Sequence, residues 1–536
     1  MRRSICFLTL VMCLFAFCVT GVPGPASGQE VKEVKYLVVL FEFEDLNHTK
    51  SYEEIRSISI DQMQTYYDEA SYGKVKVRGD IITGWRKLPM KVKDLDLFRW
   101  ISLEKDDMQK VDQAALFHLG HLKTEVELMQ YAIKFVVYAG KVWGHARSRE
   151  KTAFVNEFST EAVYEHEVGH TLGLPDLYSY KAAREGKYSG ANVGPWDLMS
   201  NGVGLCSWSK LQLGWIDQKQ VADVRTYVRL EGTFIIDPIE DKNAKTNLLR
   251  VFFDQGNPSQ AYYVEVRQRL SVDAKLDRRM RMGVLILFVD MKEDPREGGV
   301  KVIDSHPNSY SASTPSAELF DAPFSVGWNE TAAFINRDRS FSIIVLGKMG
   351  SSYKVMVGNV ATGEKAVEVN DVIGQAEKAI AKAEGEQRLK GLDEAKNALL
   401  KAKDAYAESR FTDAAATAKT SIELANSATK MPVVSTTATP TTSTTATAGT
   451  EKVSVPSPSF DILVLIIAIV IVALVAGLFL RKRKQTPTPA IPSPSTHTPE
   501  PPTPALAVAP TKYCVNCGAS IQEDARHCPE CGASQQ

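Results

Sequence analysis

Apolar residues recur with two different periods along the N-terminal part of the chain. Short runs rich in β-branched and aromatic residues, or with strict alternation, predict strands at residues 34–43, 74–82, 134–138 and 152–155. Apolar residues that return every three or four positions predict helices at residues 51–70, over most of 94–131 and in the segment after 155. Strands that alternate with helices are typical of an α/β or α+β domain, which we assign to residues 29–222.

The pattern changes after this domain. Short alternating runs at 262–266, 283–289 and 341–345 are separated by turn residues, so residues 223–365 predict a β-rich domain. Residues 366–432 are rich in Ala, Lys and Glu, and Ala or Leu recurs at helical intervals. We expect a helical hairpin of two or three helices there that acts as a solvated spacer, or helical stalk.

A polar tract and a long apolar run follow the predicted hairpin. Residues 433–459 are rich in Thr, Ser, Pro and Ala, which predicts an extended stalk without a core. Residues 462–480 carry no charge and are long enough to cross a bilayer, so 460–480 is predicted to be a single transmembrane helix. A buried core helix is the alternative, but the basic cluster at 481–484 favours a membrane span.

The N-terminus has the three parts of a secretory signal. Arg2 and Arg3 precede the apolar run 5–19, and small residues continue to Gly28, so residues 1–28 predict a signal peptide. An uncleaved anchor is the alternative, although the run is short for a bilayer. Both signals predict a cell-membrane protein in which residues 29 to about 459 lie outside the cytoplasm. The basic, proline-rich linker 481–511 and the tail after it would then be cytoplasmic.

Composition argues against a nucleic-acid partner. The 536 residues contain 63 Lys and Arg against 64 Asp and Glu, so there is no global basic field. Seven of the eight cysteines lie near the two ends, and only Cys206 lies between residues 18 and 514. The large middle part therefore cannot contain an internal disulfide bond.

The segment 166–176, HEVGHTLGLPD, has the spacing of a zinc site. On a helix, His166 and His170 lie on one face, so both imidazoles can bind the same ion. Glu167 is rotated by about a hundred degrees and can stand beside the open position without binding the ion. There it can take a proton from zinc-bound water and return it to the leaving amine.

The residues that follow can supply a third ligand. Gly173 permits the left-handed turn that ends the helix and brings the chain back toward the metal. Asp176, six residues after His170, is then placed to bind the ion through a carboxylate oxygen. The alternative is a surface helix with two fortuitous histidines, and the combination of all these residues argues against it.

These residues resemble a known family of enzymes. The segment 166–176 is similar to the metzincin form of the zinc-protease motif, with Asp in place of the usual third His. Residues 194–200, GPWDLMS, resemble the segment that carries the methionine turn. With 207–215, SWSKLQLGW, the arrangement is similar to the immune inhibitor A-type family of secreted metallopeptidases. Residues 66–74 and 262–268 resemble other segments of that family.

The resemblance implies roles for individual residues. His166, His170 and Asp176 would bind the catalytic zinc, Glu167 would be the general base, and Met199 would form the floor of the site. Without the resemblance, Met199 reads as an ordinary core methionine. No tyrosine closely follows Met199 to steady an oxyanion, so zinc and backbone donors would take that role. Calcium sites can occur in such extracytoplasmic enzymes, but the sequence assigns no ligands to one.

Four cysteines near the C-terminus form two CxxCG pairs. Cys514 and Cys517 make one pair, and Cys528 and Cys531 make the other. Two such turns can close a tetrahedral all-thiolate site, so residues 512–536 resemble a zinc ribbon with one structural zinc. Two disulfide bonds are the alternative, but the predicted cytoplasmic side is reducing. His527 is then a bystander, and the sequence does not identify what the ribbon binds.

One function follows from the motif and the resemblance. We expect a membrane-anchored zinc metalloendopeptidase that hydrolyses peptide bonds of extracytoplasmic proteins or peptides by Glu-assisted attack of zinc-bound water. The alternative is a catalytically silent cell-surface binding or sensing protein that keeps the protease fold. The presence of every expected ligand and of the base favours the enzyme.

Overall fold

The computed structural model describes residues 31–95, 106–141, 147–149, 151–309, 314–430, 511–513 and 520–522. The predicted signal peptide, the polar stalk, the apolar run 460–480 and the four C-terminal cysteines lie outside these ranges. Within the described ranges, no helix combines the length and the apolar composition that a membrane span requires.

A six-stranded sheet forms the centre of the N-terminal region. Its strands are β1 (Lys32–Glu42), β2 (Val75–Ile81), β3 (Arg86–Lys87), β4 (Ile133–Tyr138), β5 (Arg147–Arg149) and β6 (Thr152–Asn156). Their order is β2-β1-β4-β6-β5, and β3 also pairs with β1. The pairings are parallel except that of β5 with β6. A mixed α/β fold, as the sequence predicts, is confirmed.

Helices connect these strands and cover the sheet. They are α1 (Tyr52–Arg56), a π-helical segment (Ser57–Gln62), α2 (Met63–Ala70), α3 (Asp106–Leu122), α4 (Glu125–Met129), α5 (Glu161–Leu172), α6 (Tyr180–Arg184) and α7 (Ser207–Gln212). The helical pattern predicted over 94–131 becomes two helices in the described residues. The reason is local, because Thr124 and Glu127 form a capping box that starts α4.

Both faces of the sheet are buried, as is usual for parallel sheets. Along β1, Tyr36 and Val38 pack into one core with residues of α2 and α5. Leu37 and Val39 point the other way and pack with α3. Because side chains alternate along a strand, one continuous apolar run can fill both cores. This packing fixes α5, the helix that carries the histidines, against the sheet.

The next region is a sandwich of two sheets. Its strands are β7 (Val221–Arg225), β8 (Gly232–Ile236), β9 (Leu248–Phe252), β10 (Gln260–Arg267), β11 (Gly283–Asp290), β12 (Val300–Ile303), β13 (Ala333–Asn336), β14 (Phe341–Met349) and β15 (Ser352–Gly358). The middle sheet has the order β12-β11-β10-β9-β7, and the outer sheet has the order β13-β14-β15-β8. Only the pairing of β7 with β9 is parallel among the described pairings of these two sheets.

The middle sheet belongs to two cores at once. Val264 and Ile286 pack against the outer sheet. Their neighbours Tyr263 and Leu287 point the other way, into the core that also holds α2 and α5. The β-rich region is therefore packed directly against the region with the histidines, through a shared apolar core.

Three helices cover the far face of the outer sheet: α8 (Val360–Gly385), α9 (Leu392–Ala407) and α10 (Phe411–Ser427). Ile344 and Leu346 of β14 pack against Val369 and Ile373 of α8. The helical part begins at Val360, because Asn359 accepts a hydrogen bond from the backbone N–H of Thr362 and starts α8. The sequence suggested a solvated stalk, whereas the apolar stripe of these helices is buried against a sheet.

Two short strands are described near the C-terminus. β16 (Thr511–Tyr513) and β17 (Ser520–Gln522) pair antiparallel. They lie in the segment for which the sequence predicts the zinc ribbon, on either side of the first cysteine pair.

The shared core makes a prediction about stability. Leu287→Ala should lower the free energy of unfolding by about 2–5 kcal/mol, because Leu287 is fully buried between the two regions. The loss should shift the urea transition reported by fluorescence of the buried tryptophans Trp196, Trp208 and Trp215 in that core. Leu400→Ala, at an exposed position of α9, is the control and should change little. A fluorescence transition that Leu287→Ala leaves unmoved would contradict the shared core.

Candidate metal centre

The helix α5 carries the two histidines and ends where the sequence predicts. Tyr164 and Val168 are buried and hold one face of α5 against the sheet. Gly173 ends the helix in the left-handed region with φ 108°. Among the described residues, nothing lies within 4 Å of a Cβ built at Gly173, so the conformation rather than space requires glycine. After this turn the chain runs back toward the histidines.

The structure brings the three predicted ligands to one point. Oδ1 of Asp176 lies 3.0 Å from Nε2 of His166 and 3.3 Å from Nε2 of His170. Ligand atoms of a tetrahedral zinc site with bonds near 2.0–2.1 Å are about 3.3 Å apart. The spacing and the donor set, two imidazoles and a carboxylate, therefore fit zinc. Glu167 is buried, and its carboxylate lies within 4.8 Å of the imidazole nitrogens.

Backbone carbonyls orient both imidazoles. Nδ1–H of His166 donates to the carbonyl of Leu198 at 3.0 Å, and Nδ1–H of His170 donates to the carbonyl of Leu174 at 2.8 Å. Each bond leaves Nε2 facing Asp176, where it can donate to the carboxylate when protonated and can offer a lone pair to a metal when neutral. Such partners are typical of histidines that bind a metal.

The charges of Asp176 and His170 stabilise each other. Burial disfavours the charge of Asp176, but hydrogen bonds from His166, His170 and Tyr180 outweigh it and hold the pKa of Asp176 well below its usual range. Burial also opposes the charge of His170, yet its bonds to Asp176 and Leu174 raise its pKa to about 9. A carboxylate that is ionised and in contact with two imidazoles is ready to bind a cation, which would compete with the proton on His170.

Met199 lies directly beneath the histidine helix. It is fully buried, and its Sδ would be only 2.6 Å from a Cβ built at Gly169. A side chain at position 169 would therefore require the Met199 side chain to shift. The sequence contains a signal for this contact, because a glycine inside a helix, such as Gly169, lowers helix stability and usually has a packing reason.

A buried carboxylate organises the loop that holds Met199. Asp197 accepts hydrogen bonds from the backbone N–H of Met199 at 2.7 Å, the N–H of Cys206 at 2.8 Å and the hydroxyl of Ser209 at 2.7 Å. Burial raises the pKa of Asp197. The same loop provides the Leu198 carbonyl for His166, so Asp197 acts on the site through the backbone.

Two tyrosines stand beside the third ligand. The hydroxyl of Tyr180 donates to Oδ2 of Asp176, the oxygen that does not face the histidines. The ring of Tyr178 stacks on His166 with centroids 6.2 Å apart. Burial and the bond to Asp176 raise the pKa of Tyr180 to about 12. The sequence has no tyrosine closely after Met199. In the structure, Tyr178 and Tyr180, which precede Met199 in the chain, lie beside His166 and Asp176.

The β-rich region also reaches this loop. Arg267 of β10 donates from Nη1 to the carbonyl of Trp196 at 2.9 Å and pairs with Asp273 at 2.6 Å. Glu265 of the same strand accepts from the N–H of Ser207 at 2.6 Å. The segment 262–268, which in the sequence only resembles a family segment, thus binds both ends of the Met199 loop, at Trp196 and Ser207.

Two protein families match parts of the chain. The family described as immune inhibitor A peptidase M6, catalytic domain, matches residues 149–229, a range that contains all the residues of the metal cluster. A zinc-ribbon domain matches residues 510–535. No curated protein matches the chain. Two of the resemblances seen in the sequence, to immune inhibitor A-type peptidases and to zinc ribbons, are confirmed over these ranges, and the first supports a metallopeptidase.

The contact between Gly169 and Met199 can be tested directly. Gly169→Ala should destabilise the protein by about 1–3 kcal/mol, because the added methyl group overlaps Met199 Sδ. In a Met199→Ala background the same change should cost less, since the overlap is gone. Urea unfolding measures both effects.

The matched control for Gly169→Ala is Gly120→Ala. Gly120 lies in α3, and among the described residues nothing is within 4 Å of a Cβ built there. This change should stabilise the protein by up to about 1 kcal/mol through helix propensity. If Gly169→Ala behaved like Gly120→Ala, Met199 would not pack beneath the site in the way described.

Proposed function

We propose that this chain is a zinc-dependent metalloendopeptidase that cleaves exposed segments of extracytoplasmic proteins or peptides. The observation that carries the proposal is the convergence of His166, His170 and Asp176, at 3.0 and 3.3 Å, with Glu167 beside them. The match of residues 149–229 to the peptidase M6 catalytic domain supports the same reaction class. Gly173 forms the turn that brings Asp176 to the histidines, and Met199 packs against the histidine helix at Gly169.

In this mechanism the metal ligands and the general base have separate roles. The two imidazoles and the Asp176 carboxylate would hold the ion, and their backbone and tyrosine partners fix their orientation. A bound zinc ion would supply a Lewis acid that lowers the pKa of water and polarises the scissile carbonyl. Glu167 takes the proton from the attacking water and delivers it to the leaving amine.

The base can be tested by an isosteric change. Glu167→Gln should lower kcat for casein hydrolysis by about 10²- to 10⁴-fold, because the amide cannot accept the proton. Its zinc content should not change. Glu161→Gln makes the same chemical change in the first turn of the same helix and should keep normal activity. Equal rates for the Glu167→Gln and original proteins would refute this mechanism.

Metal content separates the two proposed zinc sites. We expect the full chain to hold about two zinc ions, one at the catalytic cluster and one at the four cysteines of residues 512–536. His166→Ala should remove one ion, and Cys517→Ser should weaken the other. A protein that binds zinc at His166 but cuts no substrate would instead favour the alternative, a catalytically silent binding protein with the protease fold.

We further propose that the chain is anchored in the cell membrane by residues 460–480, with the catalytic region outside and the zinc ribbon in the cytoplasm. The apolar run and the basic residues that follow it support this topology. The full chain should sediment with membranes, and deletion of 460–480 should release it. A tag after residue 536 should resist protease added to intact cells. A tag that is digested in sealed cells would contradict this orientation.

A further inference from the structure

The third ligand differs from the two histidines in how it is held. His166 and His170 lie on a packed helix, whereas Asp176 lies in the connection between α5 and α6. Its Oδ1 faces the histidines, and its Oδ2 accepts the hydroxyl of Tyr180. A carboxylate held at both oxygens has a fixed orientation. The position of Tyr180 therefore affects how well Asp176 is aimed at the metal.

Tyr180 is itself held by a turn of the β-rich region. This turn, residues 294–297, lies between β11 and β12 and contains the short 3-10 helix Pro295–Glu297. The guanidinium of Arg296 lies 5.4 Å from the centroid of the Tyr180 ring. Arg296 is in turn fixed by Asp294, which accepts from its Nε at 3.0 Å and from its Nη2 at 2.7 Å. A cation over an aromatic face is attractive, so the ring has a preferred place.

The same turn also holds the backbone around Tyr180. The carboxylate of Glu297 accepts the hydroxyl of Ser179 at 2.7 Å and the backbone N–H of Lys181 at 3.2 Å. These two residues flank Tyr180 on either side. The side chain and the backbone of Tyr180 thus both depend on a turn more than a hundred positions later in the sequence.

From these contacts we propose that the turn 294–297 positions the zinc ligand Asp176 through Tyr180. This inference rests on the metal site of the proposed function. Tyr180 and Arg296 are positioning residues, because they act through Asp176. Partners that orient metal ligands typically contribute 10- to 100-fold in metal affinity, so about this much is available to the Tyr180 bond.

The first test measures zinc affinity and not activity. Competition with a chelator gives the zinc Kd of the purified full chain, with the His166→Ala chain as the reference for zinc at the ribbon. Tyr180→Phe should raise the Kd of the catalytic site by about tenfold or more, because Oδ2 of Asp176 loses the hydrogen bond from the Tyr180 hydroxyl. Tyr188→Phe is the control, since the Tyr188 hydroxyl contacts Asn201 and no ligand. An unchanged Kd for Tyr180→Phe would overturn the proposal.

The second test asks whether the turn acts through Tyr180. Arg296→Ala should raise the zinc Kd several-fold in the original chain and have no further effect in the Tyr180→Phe background. Non-additivity of this kind is expected when one residue acts through another. If Arg296→Ala shifted the Kd equally in both backgrounds, the proposed route from the turn to Asp176 would be wrong.

The chain offers a matched control for Arg296. Arg279 pairs with Asp277, two positions before it, and lies 5.1 Å from the centroid of the Phe320 ring. Arg279→Ala therefore removes the same kind of ion pair and aromatic contact from another part of the β-rich region. It should leave the zinc Kd unchanged. A Kd raised as much by Arg279→Ala as by Arg296→Ala would show a general loss of stability and overturn the specific role.

Proteolysis measured on the same samples separates this inference from the proposed function. If the original chain binds zinc at His166 but does not cut casein, the proposed function fails while the Kd comparisons still decide the role of the turn. If the original chain cuts casein and Tyr180→Phe binds zinc as tightly as before, the function stands and the inference fails.

Discussion

The position of Asp176 relative to the two histidines is the constraint on which the rest of the site depends. His166 and His170 are placed by one turn of helix, which any stable helix provides. Asp176 can meet them only because Gly173 adopts φ 108° and ends the helix at that point. A third ligand on a loop has no helix to hold it, so its geometry has to come from tertiary contacts.

Part of this support comes from the β-rich region, beyond residues 149–229 that match the peptidase family. The middle sheet turns one face to the outer sheet and the other to the core beneath the histidine helix. From that second face, Arg267 and Glu265 hold the loop that carries Met199. The turn 294–297 of the same region contacts the residues that follow Asp176. The β-rich region is therefore part of the framework that supports the candidate metal centre.

The sequence predicted the parts of the site that depend on local spacing. The helix, its glycine turn and the Asp176 position follow from short-range chemistry, and each lies where the pattern indicates. The contributions of Tyr180 and of the turn 294–297 depend on contacts between distant segments, which a single sequence does not contain. The helices after Val360 also depend on contacts between distant segments. Their Ala-rich pattern predicts helices, but it does not predict that their apolar stripe packs against a sheet.

Anomalous diffraction at the zinc absorption edge, from crystals of the zinc-loaded protein, can show directly whether His166, His170 and Asp176 bind one zinc ion. We expect one strong peak about 2.0–2.1 Å from Nε2 of His166, Nε2 of His170 and Oδ1 of Asp176, with Glu167 beside it and not bound to it. A zinc peak elsewhere in the catalytic region, or a zinc ion bound by the histidines without Asp176, would contradict it.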